Sequence, residues 1–298
     1  MSTITLELTD ASAIEPLHVP LPTTTSTSED SEDESLESHR NSSSNIKSFA
    51  QCYIQQLKLV FQSIIPDLKS FHTWQILILI LYATFNVVFS FLDFNSIIFR
   101  DRKQSLFKWI NEYNQGTPLW RRVLLSFTGI SAITNVLNVV LVIRGKMSSY
   151  FWGILGAIFY GTFAFANGYA GDAQLFVFFF LPMQFVGIHI WSKELDTEST
   201  ARVKSLKFSG WLLIILLSGA FILLFYYEIP MFSKLLTSKY LFEQTPVPHV
   251  LDALTNGLSV MGQFLCIARY WEQYIIWTFV NLLLIVMYSG EHEKREIF

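Results

Sequence analysis

Tyr274, Trp277 and Asn281 follow the i, i+3, i+7 spacing that places side chains on one helix face, and Asn256, Ser259 and Gln263 repeat it upstream. Neutral amides and aromatic rings of this kind do not move protons; they bind. An amide hydrogen-bonds a sugar hydroxyl or a carboxamide, an indole stacks on a flat heterocycle, and a cationic ring gains about 0.5–2 kcal/mol from an aromatic face. A looser second set mirrors the first: Asn138, with Asn135 on the same helix, then Trp152, Tyr160 and Asn167, and finally Gln184, just after Pro182. Together these residues suit a nucleoside-like ligand. Two other readings stay open. Amides within a membrane also hydrogen-bond from helix to helix for about 0.6–2 kcal/mol, and Trp277 could belong to an aromatic belt.

Other chemistry finds little support. There is no H-E-x-x-H, no G-x-S-x-G and no phosphate-binding glycine loop, so no enzymatic activity is expected. Asp172, Asp252 and Glu272 fall at the ends of apolar segments rather than at their centres, where a proton or sodium relay is usually found. A passive carrier with an uncharged pocket is the better fit. His189 lies two residues before Trp191, near a segment boundary. Cys52 and Cys266 are too far apart in sequence and setting to suggest a disulfide framework or metal site. No cofactor is expected, and nucleic-acid binding lacks both a fold and a basic surface.

The elements that position these residues must be membrane helices. The chain has 298 residues, 51% hydrophobic and 15% charged, against about 25% charged in ordinary soluble domains. Seven apolar segments are long enough for a bilayer: about 72–92, 123–143, 149–168, 171–191, 208–228, 250–268 and 272–290. Each is expected to be an α-helix, because lipid leaves backbone groups no other open partner. The very short connections after the second, third and sixth make those helices antiparallel neighbours. Gly153, Ala157 and Gly161 form a small-residue stripe for close helix packing. Trp74, Trp191 and Trp211, near segment ends, read as belt residues.

Residues 1–48 carry nine acidic side chains against Arg40 and Lys47, a net −7 that leaves +4 on the rest of a chain whose total is −3. They hold too few large apolar groups to offset the entropy of ordering and are expected to be disordered. Ser28, Ser31 and Ser35 sit among acids as an acidophilic kinase would accept them. Residues 49–122 comprise an extra membrane helix (about 72–92) and a loop with Arg100, Arg102, Lys103, Lys108, Arg121 and Arg122; residues 123–290 form the main domain and 291–298 a short tail. The basic short loops on the tail's side place the N-terminus in the cytosol, and a glycan on Asn41-Ser-Ser would reverse this.

Sliding the chain on itself by 125 residues sets Thr134 on Ser259, Asn138 on Gln263, Arg144 on Arg269 and Trp152 on Trp277. Segments two and three thus echo six and seven, and an even number of crossings between them makes the repeat parallel. Segment four would complete the first triplet. Its counterpart falls at about 296–316, so the second triplet reads as incomplete.

The block SSYFWGILGAIFYGTFAFANGYAGDAQLFVFFFLPMQFVGIHIW, ending at Trp191, and the later DALTNGLSVMGQFLCIARYWEQYIIWTFVN resemble the central and late blocks of PnuC-type vitamin transporters, distant relatives of the SWEET sugar carriers. The resemblance covers about residues 123–290. It implies an all-α, polytopic helical membrane protein with a three-plus-one-plus-three core and one central site. It also implies facilitated uptake of nicotinamide riboside (or the mononucleotide) for NAD synthesis, trapping by intracellular phosphorylation, a preceding extra helix, a plasma-membrane location, and assembly as a homotrimer. Three features depart from the family pattern: Tyr274 replaces the first Trp of a W-x-x-W pair that ends at Trp277, Gly187-Ile188-His189-Ile190-Trp191 replaces a G-W-x-x-W ending, and no segment corresponds to the last core helix. Alternatives are transport of another ring-bearing vitamin, thiamine or riboflavin, and a non-transporting modulator or receptor-like protein.

Overall fold

The computed structural model describes residues 30–93, 105–195, 202–237 and 246–294. Residues 1–29 with Ser28, the loop cations Arg100, Arg102 and Lys103, and residues 295–298 lie outside the described residues. The described elements are α1 (Asp30–Lys69), α2 (Thr73–Phe91), α3 (Lys108–Asn114), α4 (Leu119–Leu125), α5 (Thr128–Ile143), α6 (Ser149–Asn167), α7 (Ala170–Ser192), α8 (Phe208–Thr237), α9 (Pro246–Ile267) and α10 (Gln273–Lys294). Extended pairing among the described residues is limited to two isolated bridges, Leu92 with Phe107 and Lys204 with Tyr270.

Among the described residues, six runs are long and apolar enough to cross a membrane: Thr73–Phe91, Leu119–Ile143, Ser149–Asn167, Ala170–Ser192, Phe208–Leu235 and His249–Ile267. The seventh expected segment forms α10, whose apolar part, Gln273–Met287, is shorter. None of the α2 window is buried and only 11% of that of α8, against 67% for α9. Leucines and isoleucines pointing outward cost nothing in lipid, so α2 and α8 give their faces to the bilayer while α9 forms the centre. α5 packs against α6 and α2, α9 against α8 and α10, and α6 against α7.

The chain divides into two compact units, Met1–Ala50 and Gln51–Phe298. The first twenty-one residues of α1, 30–50, belong to the former. Residues 30–48, which composition assigns to a disordered tail, are thus helical. The remainder of α1, residues 51–69, belongs to the second unit and is a helix that hydropathy alone does not reveal. Val60 is buried with Met147, Tyr150, Ile188 and Trp191, the Tyr53 hydroxyl donates to the Phe185 carbonyl at 3.1 Å, and the Ser148 hydroxyl donates to Asp67 at 2.6 Å.

The α5–α6 and α9–α10 turns share one hydrogen-bond pattern. The Gly145 amide donates to Val142 and the Lys146 amide to Leu141, just as Arg269 donates to Cys266 and Tyr270 to Leu265. The two turns are therefore 124 residues apart, one fewer than the offset of 125 read from side-chain identities. At this register Gly145 and Arg269 are equivalent, and both have φ of 66°. For Arg269 that backbone costs roughly 1–2 kcal/mol. A strap holds it: the Lys204 amide donates to the Arg269 carbonyl at 2.7 Å, the Trp271 amide to the Lys204 carbonyl at 3.1 Å, and the buried guanidinium pairs with surface Glu194 at 3.1 Å.

Trp191 is no belt residue. It is 3% exposed, meets the Tyr150 ring edge-on at 5.2 Å, and donates to the Cys266 and Ile267 carbonyls at 3.3 and 3.1 Å. Its indole thus caps the Ile267 carbonyl at the end of α9, shares the Cys266 carbonyl with the Arg269 amide, and pins α7 to the turn. Shortly before Pro182, α7 contains a π-helical stretch, Leu175–Phe180. A wider turn there absorbs the register change ahead of a residue with no N–H.

Candidate substrate-binding cavity

A cavity of about 370 Å³ lies among α5, α6, α7, α9 and α10, within the size range of small-molecule sites, about 300–1,000 Å³. A larger cleft of about 440 Å³ between α1, α2 and α5 is lined mainly by aliphatic side chains, with Lys69 and Tyr82 its polar members and no amide among them.

One wall of the first cavity is aromatic. Tyr160 lies 4.3 Å from Phe176, Phe176 lies 4.8 Å from Phe180, and Phe180 lies 6.1 Å from Trp277, measured between ring centroids. The π-helical stretch of α7 supplies the two phenylalanines. Trp277 fits because position 262 is glycine: a Cβ there would come within 3.0 Å of the indole. Facing this wall are amides from four helices: Asn138 on α5, Gln184 on α7, Asn256 and Gln263 on α9, and Gln273 and Asn281 on α10. Gly153 admits Gln184, since a Cβ there would lie 2.5 Å from Gln184 Oε1.

The amides answer the question of helix-to-helix bonding. Among the described residues, Asn138, Gln184, Gln263, Gln273 and Asn281 form no side-chain hydrogen bond, and Asn135 makes only a long one of 3.4 Å to Ser131. Gln184 and Gln263 are nonetheless buried. The amide atoms of Gln184 and Gln263 are not among the fully buried, unpartnered ones, so they open onto the cavity and are available to what enters it. Asn256 is half committed: its Nδ2 donates to the Asp252 carbonyl at 2.8 Å and to Asp252 Oδ1 at 2.9 Å, while its buried Oδ1 has no partner.

The cavity therefore brings together Trp277, Asn281, Gln263, Tyr274, Asn256, Asn138, Tyr160 and Gln184, along with Asn135 and Ser259. Trp152 does not line it. At the register set by the turns, Gly153 and not Trp152 is the counterpart of Trp277, and the Trp152 ring packs beside Phe151 at 5.3 Å. Nor does the cavity lack an ionisable group: Asp172 lines it, with the Tyr160 hydroxyl donating to its Oδ2 at 2.9 Å. Phe176, Phe180, Thr255 and Gln273 are further lining residues not expected from the sequence. A Phe-rich run reads as lipid-facing, and position in a segment does not reveal that the start of α7 tucks inward. The only hint for Asp172 was a carboxylate inside the opening turn of an apolar run.

The model of the nicotinamide mononucleotide transporter family matches residues 126–294. The chain belongs to this family. Within it, the nicotinamide riboside transporter PnuC of Haemophilus influenzae is 31% identical over 163 residues, which are 54% of this chain and 67% of that protein. The protein of the same name from Neisseria mucosa is 28% identical over 165 residues, 54% of this chain and 58% of its own length. A crystal structure of the vitamin B3 transporter PnuC shares the fold, with a TM-score of 0.51 and 24% identity over 74% of this chain and 78% of that one. The family match contains every cavity residue named above. With six runs able to cross a bilayer, this nicotinamide mononucleotide transporter family member is an integral membrane protein.

Proposed function

We propose that the chain carries nicotinamide riboside, or a closely related pyridine nucleoside or nucleotide, across a membrane by facilitated diffusion, feeding NAD synthesis. The observation that carries this reading is a cavity of nucleoside size in which uncommitted amides face a continuous aromatic wall. Trp277, aided by Tyr274, stacks on the pyridine ring. Gln263, Asn256, Asn281, Asn138, Gln184 and the Tyr160 hydroxyl edge take the ribose hydroxyls and carboxamide. The names of the relatives point to the same substrate. The role is carriage and not catalysis.

In this reading the α5–α6 and α9–α10 pairs are parallel repeat units that rock about a midplane site and expose it to each side in turn. Equivalent turns 124 residues apart support the repeat. The proposal extends to a homotrimer in the plasma membrane with a cytosolic N-terminus, supported by the family resemblance and by Arg144, Lys146, Lys193, Lys204 and Arg269 on the connections of that side. The test is uptake of labelled nicotinamide riboside by cells making this chain alone, beside a binding screen of the purified protein against nicotinamide riboside, thiamine and riboflavin. Saturable uptake with matching affinity is the expected result. Correct insertion with no uptake and no binding would refute it, and preference for another vitamin would reassign the substrate.

A further inference from the structure

The end of the cavity at the start of α7 differs from the rest in offering only acceptors. Asp172 lines it, and its Oδ2 already takes the Tyr160 hydroxyl, so the phenol is spent as a donor. The free Oδ1 of Asn256, a residue 1% exposed, lies at the same end with no partner. Behind Asn256 stands Asp252, held by the amide Nδ2. Gly171 lets α7 and α9 approach closely enough to bring the two carboxylates together: a Cβ there would be 2.9 Å from Asp252 Oδ2 and 3.1 Å from Asn256 Nδ2.

Nothing positive balances this end. Among the described residues neither Asp172 nor Asp252 has an ion-pair partner, and no lysine or arginine lines the cavity. The neighbouring element α8 adds another carboxylate, Glu228, which accepts from Gln174. An unpaired carboxylate removed from water is costly, and a cation arriving with hydrogen-bond donors relieves that cost.

We propose that Asp172, backed by Asp252 through Asn256, is the charge-selecting residue of the site. It makes the cavity favour a ring-bearing solute with a fixed positive charge over an uncharged solute of the same shape. This rests on the pyridine nucleoside reading but goes further, since amides and a stacked ring alone would accept a neutral heterocycle equally well. Nicotinamide riboside carries a pyridinium charge, and its 1,4-dihydro form has the same skeleton without it.

The experiment is a binding titration of the full chain in lipid nanodiscs with these two compounds. The native protein should prefer the cation by about tenfold or more, the scale of one charge-assisted contact. In Asp172→Asn that ratio should collapse towards one, through loss of cation binding and with the dihydro form held within about threefold. Tyr160→Phe, which frees the carboxylate without removing its charge, should keep or enlarge the preference, and it serves if Asp172→Asn does not fold. An unchanged ratio in Asp172→Asn, or a native protein indifferent to charge, overturns the proposal, as does loss of the preference in Tyr160→Phe. If the native protein ignores both nicotinamide compounds but binds thiamine, another ring-bearing cation, in an Asp172-dependent way, the substrate reading fails and the charge-selecting role stands.

Discussion

Replacing Trp277 with alanine tests the stacking role most directly. The indole lies beside Phe180, 6.1 Å away between ring centroids, and next to Gly262, where an added Cβ would lie 3.0 Å from it. Stacking of a flat heterocycle on such a ring is worth about 1–3 kcal/mol, and a pyridinium charge adds about 0.5–2 kcal/mol. These contributions overlap, so a loss of about 2–3 kcal/mol is expected, equivalent to roughly 30- to 150-fold in Kd. Folding should suffer less than the 3–5 kcal/mol typical of Trp→Ala, because the indole already borders a cavity of about 370 Å³ and has protein contacts on only part of its surface. The assay is calorimetric titration of the purified variant in nanodiscs with nicotinamide riboside, alongside circular dichroism and gel filtration. Trp277→Phe, which keeps a smaller ring, should fall between the two. A folded Trp277→Ala protein whose Kd stays within about threefold of native would refute the stacking argument.

Two further outcomes test the scaffold. Gly187→Ala places a Cβ 2.2 Å from the ring of Tyr150, itself pinned between Val60, Met147 and Trp191, so over-packing should cost about 3 kcal/mol or more and lower the melting temperature in detergent sharply. Glu194 is held below the usual carboxylate range by its hydrogen bond to the Arg269 guanidinium. A folded pKa below the unfolded one gives stability that is present above the ordinary carboxylate pKa and fades as pH falls through the folded value. Glu194→Gln should therefore melt below native at neutral pH and match it at acid pH, and parallel curves would show that the pair adds nothing.

The helices were legible because long apolar runs have only one open way to satisfy their backbone in lipid. The end of α1 was not, because Tyr53, Val60 and Phe61 alternate with Gln56, Lys58 and Asp67 and no window becomes apolar enough to register. Most of the cavity lining was legible too, since amides on the helical period mark a face whatever that face meets. What the sequence could not supply was depth and neighbours. Trp191 looked interfacial from its place in the segment, yet tertiary contacts bury it. Asp172 looked like a boundary charge, yet the cavity reaches it.

The one-residue difference in register changes how the site is understood. At an offset of 125 Trp152 and Trp277 form a symmetric aromatic pair. At the 124 that the backbone turns define, Asn138 and Gly153 correspond to Gly262 and Trp277. In each pair one position is glycine and the other carries the side chain that enters the cavity, but the roles are exchanged. Gly153 lets the Gln184 amide in beside Asn138, and Gly262 lets the Trp277 indole in. The same exchange recurs where the turns are anchored: the Ser148 hydroxyl donates to Asp67, whereas at the equivalent position the Glu272 carboxylate accepts from Ser205 at 2.9 Å and from the Leu206 amide at 2.7 Å. Two helix pairs joined by the same kind of turn thus bring unlike groups to the cavity at equivalent positions, the Gln184 amide beside Gly153 and the Trp277 indole beside Gly262. A solute with one polar and one flat face fills that space in a single orientation, which a pair of identical surfaces could not impose.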